Sequence, residues 1–351
     1  MKLSDPSRLL AELPQHSKIL IVRLRSLGDL VLETPAISAL HEWRPDLRLS
    51  VLVEPRFAAV FEGNPVVSEV IASQEFIETV RELRRRRFSA AYNQHGGPRS
   101  ALLTAASGAR ARVGWKGFQF SFLYSVLVPD AREFYGTPVV HAVEHRLSQF
   151  YATGLTRGPI PRAQLFPQPD AIESVARCLE EKGIAAGTAY AVLQPGARLE
   201  GMRWPVEKFA AVANWLREKH GIASVVNLGP GDAEIWDAVH RGMAGCVMLP
   251  KPLDVRELIA LIAGARIFIG NDSGPVHIAA ATRRPVVAIY GPTNPAQWHP
   301  WQMPYRALDT GAVFNPQRGD KSMAESEPRG IDTIEVGEAV NACDELLNSV
   351  K

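Results

Sequence analysis

Gly270-Asn-Asp-Ser-Gly-Pro-Val-His-Ile-Ala-Ala280 separates a run of β-branched residues from a small-residue helix. Asp272, Ser273 and Gly274 then stand at a helix start, where unpaired backbone N–H groups and the helix dipole favour an anion such as a diphosphate. Gly274 lets the backbone come close, Ser273 adds a hydroxyl donor, and His277 lies one turn in. The plainer alternative has Asp272 or Ser273 as an N-cap and His277 as a satisfied buried histidine. A second stretch, Gln194-Pro-Gly-Ala-Arg-Leu-Glu-Gly-Met-Arg-Trp-Pro205, also follows a strand-like run. Pro195-Gly196 turns the chain, and Arg198 and Arg203 offer planar forks that match phosphate oxygens. The alternative is a surface loop with two solvated arginines.

A third group, Ser26-Leu-Gly-Asp29, follows the first apolar run. Gly28 permits a tight turn, and Asp29 is either a general base or a helix cap. His95 and Arg99, in Asn93-Gln-His-Gly-Gly-Pro-Arg-Ser100, are further candidates to line a site. Asp232 and Glu234 follow another strand, where an acidic group can hold ribose hydroxyls. The run Arg84 to Arg87 suits an anionic acceptor or lipid, or is simply a solvated helix face. The chain lacks GxxxxGK[ST], HExxH, GxSxG and any GxGxxG after the first strand. A P-loop enzyme, a zinc protease, a serine hydrolase and a dehydrogenase are therefore disfavoured.

These groups need strand ends to hold them. Short apolar runs at Lys18–Arg23, Leu49–Val53, Ser89–Asn93 and Ala111–Gly114 read as buried parallel strands, as do Tyr190–Gln194, Ala223–Leu228, Ile267–Gly270 and Pro285–Tyr290. Helical patterns lie between them, among them Leu30–Leu40 and Val140–Thr153. The alternation predicts an α/β protein with parallel sheets. A Pro/Gly-rich linker, Gly158–Pro169, divides it into domains at 1–165 and 166–351, each Rossmann-like. A closing helix, Val336–Leu347, is left free to pack back on the first half. The 351 residues suit two domains; 46% are hydrophobic and 22% charged, and the net charge of +2 makes no demand for nucleic acid. Cys178, Cys246 and Cys343 are too scattered for a metal site or a disulfide framework. The N-terminus lacks a signal-peptide core and no window is long and apolar enough to span a membrane, so a cytoplasmic protein is expected. A short amphipathic contact with the inner membrane is left open.

Taken together the motifs resemble glycosyltransferase family 9, the heptosyltransferases. The resemblance rests on Ser26–Asp29, Pro195–Pro205, Gly270–Ala280 with Tyr290–Pro295, and His141-Ala-Val-Glu-His-Arg146, and it spans about residues 18 to 295. It implies a GT-B fold, two Rossmann-like domains with parallel sheets facing across a cleft that holds the active site. It implies an inverting transfer without cofactor or metal, from ADP-heptose to an inner-core lipopolysaccharide precursor. On this resemblance Asp29 is the catalytic base, with Gly28, His95 and Arg99 on the acceptor side. Gly196, Ala197, Arg198, Arg203, Asp272, Ser273, Gly274 and His277 contact the donor, and Asp232 or Glu234 its ribose. Met202 stands where the family usually has a diphosphate-binding lysine. The polar segment Gly311–Gly330 lacks the cysteines that many relatives carry there.

Overall fold

A computed structural model describes residues 5–313 and 330–349. Most of the segment Gly311–Gly330 thus lies outside the described residues. The chain divides into two compact units, Met1–Gln164 and Leu165–Lys351.

The first unit holds β1 (Lys18–Val22), β2 (Arg48–Val53), β3 (Glu69–Ala72), β4 (Ala90–Asn93), β5 (Ala111–Trp115) and β6 (Val126–Val128). They form one sheet in the order β3-β2-β1-β4-β5-β6. The second holds β7 (Tyr190–Gln194), β8 (Ala223–Val226), β9 (Val247–Met248), β10 (Ile267–Asn271), β11 (Val286–Tyr290) and β12 (Tyr305–Asp309), ordered β12-β11-β10-β7-β8-β9. Every pairing is parallel. Counted from its own first strand, each sheet has the same order, and each reverses once, between β1 and β4 and between β7 and β10. Helices on both faces explain why the central strands are buried throughout, with Ile19 to Val22 and Ile267 to Ile269 wholly covered.

All eight strands read from the sequence are present. The four it did not show, β3, β6, β9 and β12, are the four sheet edges. An edge strand meets fewer neighbours and carries a weaker apolar run; β9 and β12 have no buried residue at all.

The helical pattern expected over Leu30–Leu40 is two helices, Leu27–Val31 and Thr34–Trp43. Pro35 is the cause, since it has no N–H to continue the ladder and fits only the first turn of a new helix. The Thr34 hydroxyl donates to the Val31 carbonyl across the joint at 2.8 Å. Glu33 therefore sits between two helices. The pattern expected over Val140–Thr153 is a helix at Ala142–Tyr151, opened by a reciprocal capping box between His141 and Glu144.

In the second unit Trp204 is 1% exposed, packs edge-on against Phe209, and donates its indole N–H to the Ile334 carbonyl at 3.0 Å. Lys208 donates to the carbonyls of Asp332 and Ile334. These bonds lead the chain into the closing helix, Val336–Ser349. Its buried residues, Ala339, Ala342, Cys343, Leu346 and Leu347, join the core of Ile267, Ile269, Val287 and Ile289. The apolar face of this helix is thus used within the second unit. All three cysteines are free, and burial pushes the Cys343 thiol up to about 12, which suits packing rather than chemistry. No described helix is long and apolar enough to cross a membrane.

Leu346→Ala is expected to lower the stability of the second unit by about 2–5 kcal/mol, read as an earlier urea midpoint. An unchanged midpoint would mean that the closing helix adds nothing to this core.

Candidate active site

In an open parallel sheet, ligands bind beyond the carboxyl ends of the strands, where the strand order reverses. In the first unit that point lies between β1 and β4. The loop leaving β1 brings Arg23 and then Ser26, whose φ of +76° is a left-handed value that residues with a Cβ seldom adopt. Leu27–Val31 follows as a single helical turn with Gly28 and Asp29 in it. The two Asp29 oxygens have separate partners. Arg23 Nη2 lies 2.7 Å from Oδ2, and Arg146 Nη2, from the Ala142–Tyr151 helix, is bonded to Oδ1. The Arg146 side chain is 4% exposed and that of Asp29 19%, so the carboxylate is the member that solvent or substrate reaches.

Neighbouring groups hold both arginines in place. Arg23 also donates to the Gln94 carbonyl, and Gln94 Nε2 donates to the Arg146 carbonyl at 3.2 Å. Arg146 Nη1 donates to the Ala142 carbonyl, and its Nε faces Glu33 Oε2 at 3.5 Å. Glu33 is fully buried; desolvation pushes its carboxyl up to about 7 against the pull of Arg146 and Arg23. A carboxylate held by two guanidiniums stays ionised and oriented.

At the end of β4, the Asn93 side chain accepts the backbone N–H groups of His95 and Gly96 at 3.0 and 3.1 Å. Its amide donates to the Tyr124 hydroxyl at 2.7 Å. This fixes the His95 loop beside the charged group. Burial, then Arg23 and Arg25, push His95 down to about 4, so its ring is neutral near pH 7. Arg99 is exposed and donates to the Gln74 carbonyl at 2.7 Å.

In the second unit the reversal lies between β7 and β10. Asn271, at the end of β10, is wholly buried and stitches the loop of β7 to it. Its Oδ1 accepts the Trp204 N–H at 3.0 Å, and its Nδ2 donates to the Pro195 carbonyl at 2.7 Å. Asp272 follows. Its carboxylate accepts the Thr293 hydroxyl at 2.6 Å, and desolvation pushes it up to about 6. Ser273 turns its hydroxyl to the Asn271 carbonyl at 3.0 Å, so no side chain caps the Gly274–Ala281 helix. His277 is buried within that helix.

The other candidates are drawn into loop structure. A Cβ on Gly196 would lie 2.1 Å from Asp232 Oδ2, so only glycine fits against that carboxylate. Asp232 is itself buried and accepts the Gly229 N–H at 2.7 Å. Its observed partner is thus a turn. Arg203 donates Nε to the Ala197 carbonyl at 2.9 Å, and its Nη1 lies 3.4 Å from exposed Glu234. Arg198 is exposed and makes no bond among the described residues. Met202 is 7% exposed in the short turn Glu200–Met202. That turn lies under the next loop, because a Cβ on Gly291 would lie 2.6 Å from the Gly201 carbonyl.

The structure therefore joins Asp29 and Gly28 to three residues the motifs did not single out, Arg23, Glu33 and Arg146. Arg146 closes the His141–Arg146 motif, whose local pattern gives no sign of a partner at Asp29. In the second unit the unforeseen members are Asn271 and Thr293. The Arg84–Arg87 run is divided. Arg86 pairs with Glu69 and Glu82, and Arg84 donates to the Ala106 carbonyl. Arg84 and Arg87, with Arg110, line a cavity of about 990 Å³ at the amino ends of β4 and β5, away from Asp29. Among the described residues no cluster of His, Cys, Asp or Glu has the makings of a metal site.

Residues 77–324 match the profile of glycosyltransferase family 9 (heptosyltransferase). A lipopolysaccharide heptosyltransferase 3 of Escherichia coli is 30% identical over 301 residues, covering 79% of this chain and 84% of that protein. Among solved structures, a family 9 glycosyl transferase from Veillonella parvula superposes with a TM-score of 0.85 at 22% identity, over 96% of this chain and 99% of that one. The E. coli ADP-heptose LPS heptosyltransferase II gives 0.78 at 23%, over 95% and 99%. Two Rossmann-like units carrying these motifs, together with that profile, make the chain a member of glycosyltransferase family 9 and a transferase of the GT-B fold.

Proposed function

We propose that the protein transfers heptose from ADP-heptose to a hydroxyl of a lipopolysaccharide inner-core acceptor, inverting the anomeric centre, with Asp29 as general base. The observation that carries this reading is the Asp29 carboxylate, paired with Arg23 and Arg146 at the strand-order reversal of the first unit. Relatives named for heptose transfer to lipopolysaccharide supply the donor and acceptor classes.

In this reaction the acceptor hydroxyl gives its proton to Asp29 as its oxygen attacks the anomeric carbon. ADP leaves from the opposite face through an oxocarbenium-like transition state. The charge growing on the diphosphate needs donors already in place. The uncapped start of the Gly274–Ala281 helix supplies backbone N–H groups, and Arg198 and Arg203 supply guanidiniums. The work is assigned to the cytoplasm, with the lipid-linked acceptor at the inner membrane. A second reading keeps the reaction and changes the donor to another nucleotide sugar. Met202 favours it, since a buried thioether stands where the family's lysine would meet the diphosphate.

Asp29→Asn is expected to cut turnover on the order of 100-fold or more, with donor affinity nearly unchanged. ADP release from ADP-heptose in the presence of acceptor is the assay, and a full rate in the variant would remove Asp29 from the base role. Arg198→Ala is expected to weaken ADP binding about tenfold, or about 1.4 kcal/mol, without moving the melting temperature. Arg203→Ala is expected to lower both, because that guanidinium also closes its own loop onto Ala197. Calorimetry and thermal melting of the two variants test the contrast.

A further inference from the structure

Glu33 is the residue of the first unit whose chemistry is least explained by packing. Neither carboxyl oxygen has a hydrogen bond among the described residues, and the side chain is wholly buried. An apolar residue of similar size would fill the space without the desolvation of a carboxyl group. Rules of core composition are broken mostly at functional sites. Its place is set by the chain, since the joint before Thr34-Pro35 puts Glu33 one turn after Asp29. The Arg146 guanidinium then lies between two carboxyl groups, with Nη2 on Asp29 and Nε 3.5 Å from Glu33.

We propose that Glu33 is a positioning residue for the transfer, acting through Arg146 to set how firmly the Asp29 carboxylate is held and so how readily it takes the acceptor proton. The proposal rests on the reading of Asp29 as base. Glu33 itself touches no substrate. Three charged groups face it: Asp29 one turn earlier, Arg146 from the Ala142–Tyr151 helix, and Arg23 from the end of β1. His95, on the loop after β4, faces Arg23, Arg25 and Asp29 and is pushed down to about 4, so it stays neutral through the range that matters.

With Glu33 protonated, Asp29 is the one charged carboxylate of the pair that faces Arg146, and it is a weak base. With Glu33 ionised, two carboxylates share that charge, and Asp29 accepts a proton more readily. The acceptor proton moves to Asp29 as the new C–O bond forms and the bond to ADP breaks, and it passes to water after the product leaves. Burial places the Glu33 transition near pH 7, so turnover should rise through that pH.

The test is kcat against pH, from pH 5.5 to 9, for the natural protein, Glu33→Gln, Glu33→Asp and Asp29→Asn. Glu33→Gln is expected to lose the rise near pH 7 and to run about tenfold below the natural protein at pH 8, with the donor KM unchanged. Glu33→Asp keeps an ionisable group and is expected to retain a rise with a displaced midpoint. A natural-type rise in Glu33→Gln would overturn the proposal. So would inactivity of both Glu33 variants at every pH, which marks a structural role alone. Asp29→Asn separates the two ideas. Full turnover there removes the base itself, whereas low turnover there with an unaltered profile in Glu33→Gln removes only the part given to Glu33.

Discussion

In both units the fourth strand of the sheet ends on a wholly buried asparagine whose carboxamide pins a loop at the carboxyl edge. Asn93 closes β4 and Asn271 closes β10, each beside the point where the strand order reverses. Reversal arises because successive right-handed crossovers first run to one side of the first strand and then to the other. It parts the loops at the carboxyl ends and leaves backbone groups there that no sheet neighbour satisfies. A buried amide that both donates and accepts meets this need. Asn93 fixes the turn through His95 and Gly96, and Asn271 ties Pro195 and Trp204 to the end of β10. Losing either would leave buried polar groups unpaired as well as freeing a loop.

The two halves handle charge differently. The first gathers two guanidiniums and two carboxyl groups in one place, with Arg146 nearly sealed from solvent. Such a cluster is a poor source of stability, because desolvation offsets much of the attraction. Its value lies in orientation: Asp29 is the only one of the four that combines bonds from both arginines with partial exposure. The second half has fewer fixed charges. Arg203 is already engaged with Ala197 and Glu234, and Asp232 is turned into its own loop against Gly196. In the proposed reading the diphosphate meets backbone N–H groups at an uncapped helix, with the guanidiniums of Arg198 and Arg203.

Much of this was legible in the chain. Short apolar runs marked all eight interior strands, because a strand covered on both faces must be apolar along its length. The four edges escaped because Val126–Val128 and Val247–Met248 are only 3 and 2 residues long, while Glu69–Ala72 and Tyr305–Asp309 carry charged residues. The helix break at Thr34-Pro35 follows from proline chemistry, yet it is masked by the longer apolar pattern around it. Asp29 was found because it lies in a short local motif. Its partner Arg146 is 117 positions away, and no local spacing signals a pair of that separation. Asp232 could be read as a ribose contact because an acidic group after a strand suits that role equally well. Its bond from the Gly229 N–H and the approach of Gly196 are contacts that no local spacing signals.

The central claim is that the second unit receives the ADP moiety of a nucleotide sugar. Calorimetric titration of the whole protein with ADP, UDP, GDP and CMP at one ionic strength tests it most directly. The account predicts a clear preference for ADP, weakened by removal of the Arg198 guanidinium. Preference for another nucleotide would contradict the ADP-heptose donor while leaving a transferase, and binding of none would contradict the transfer reaction itself.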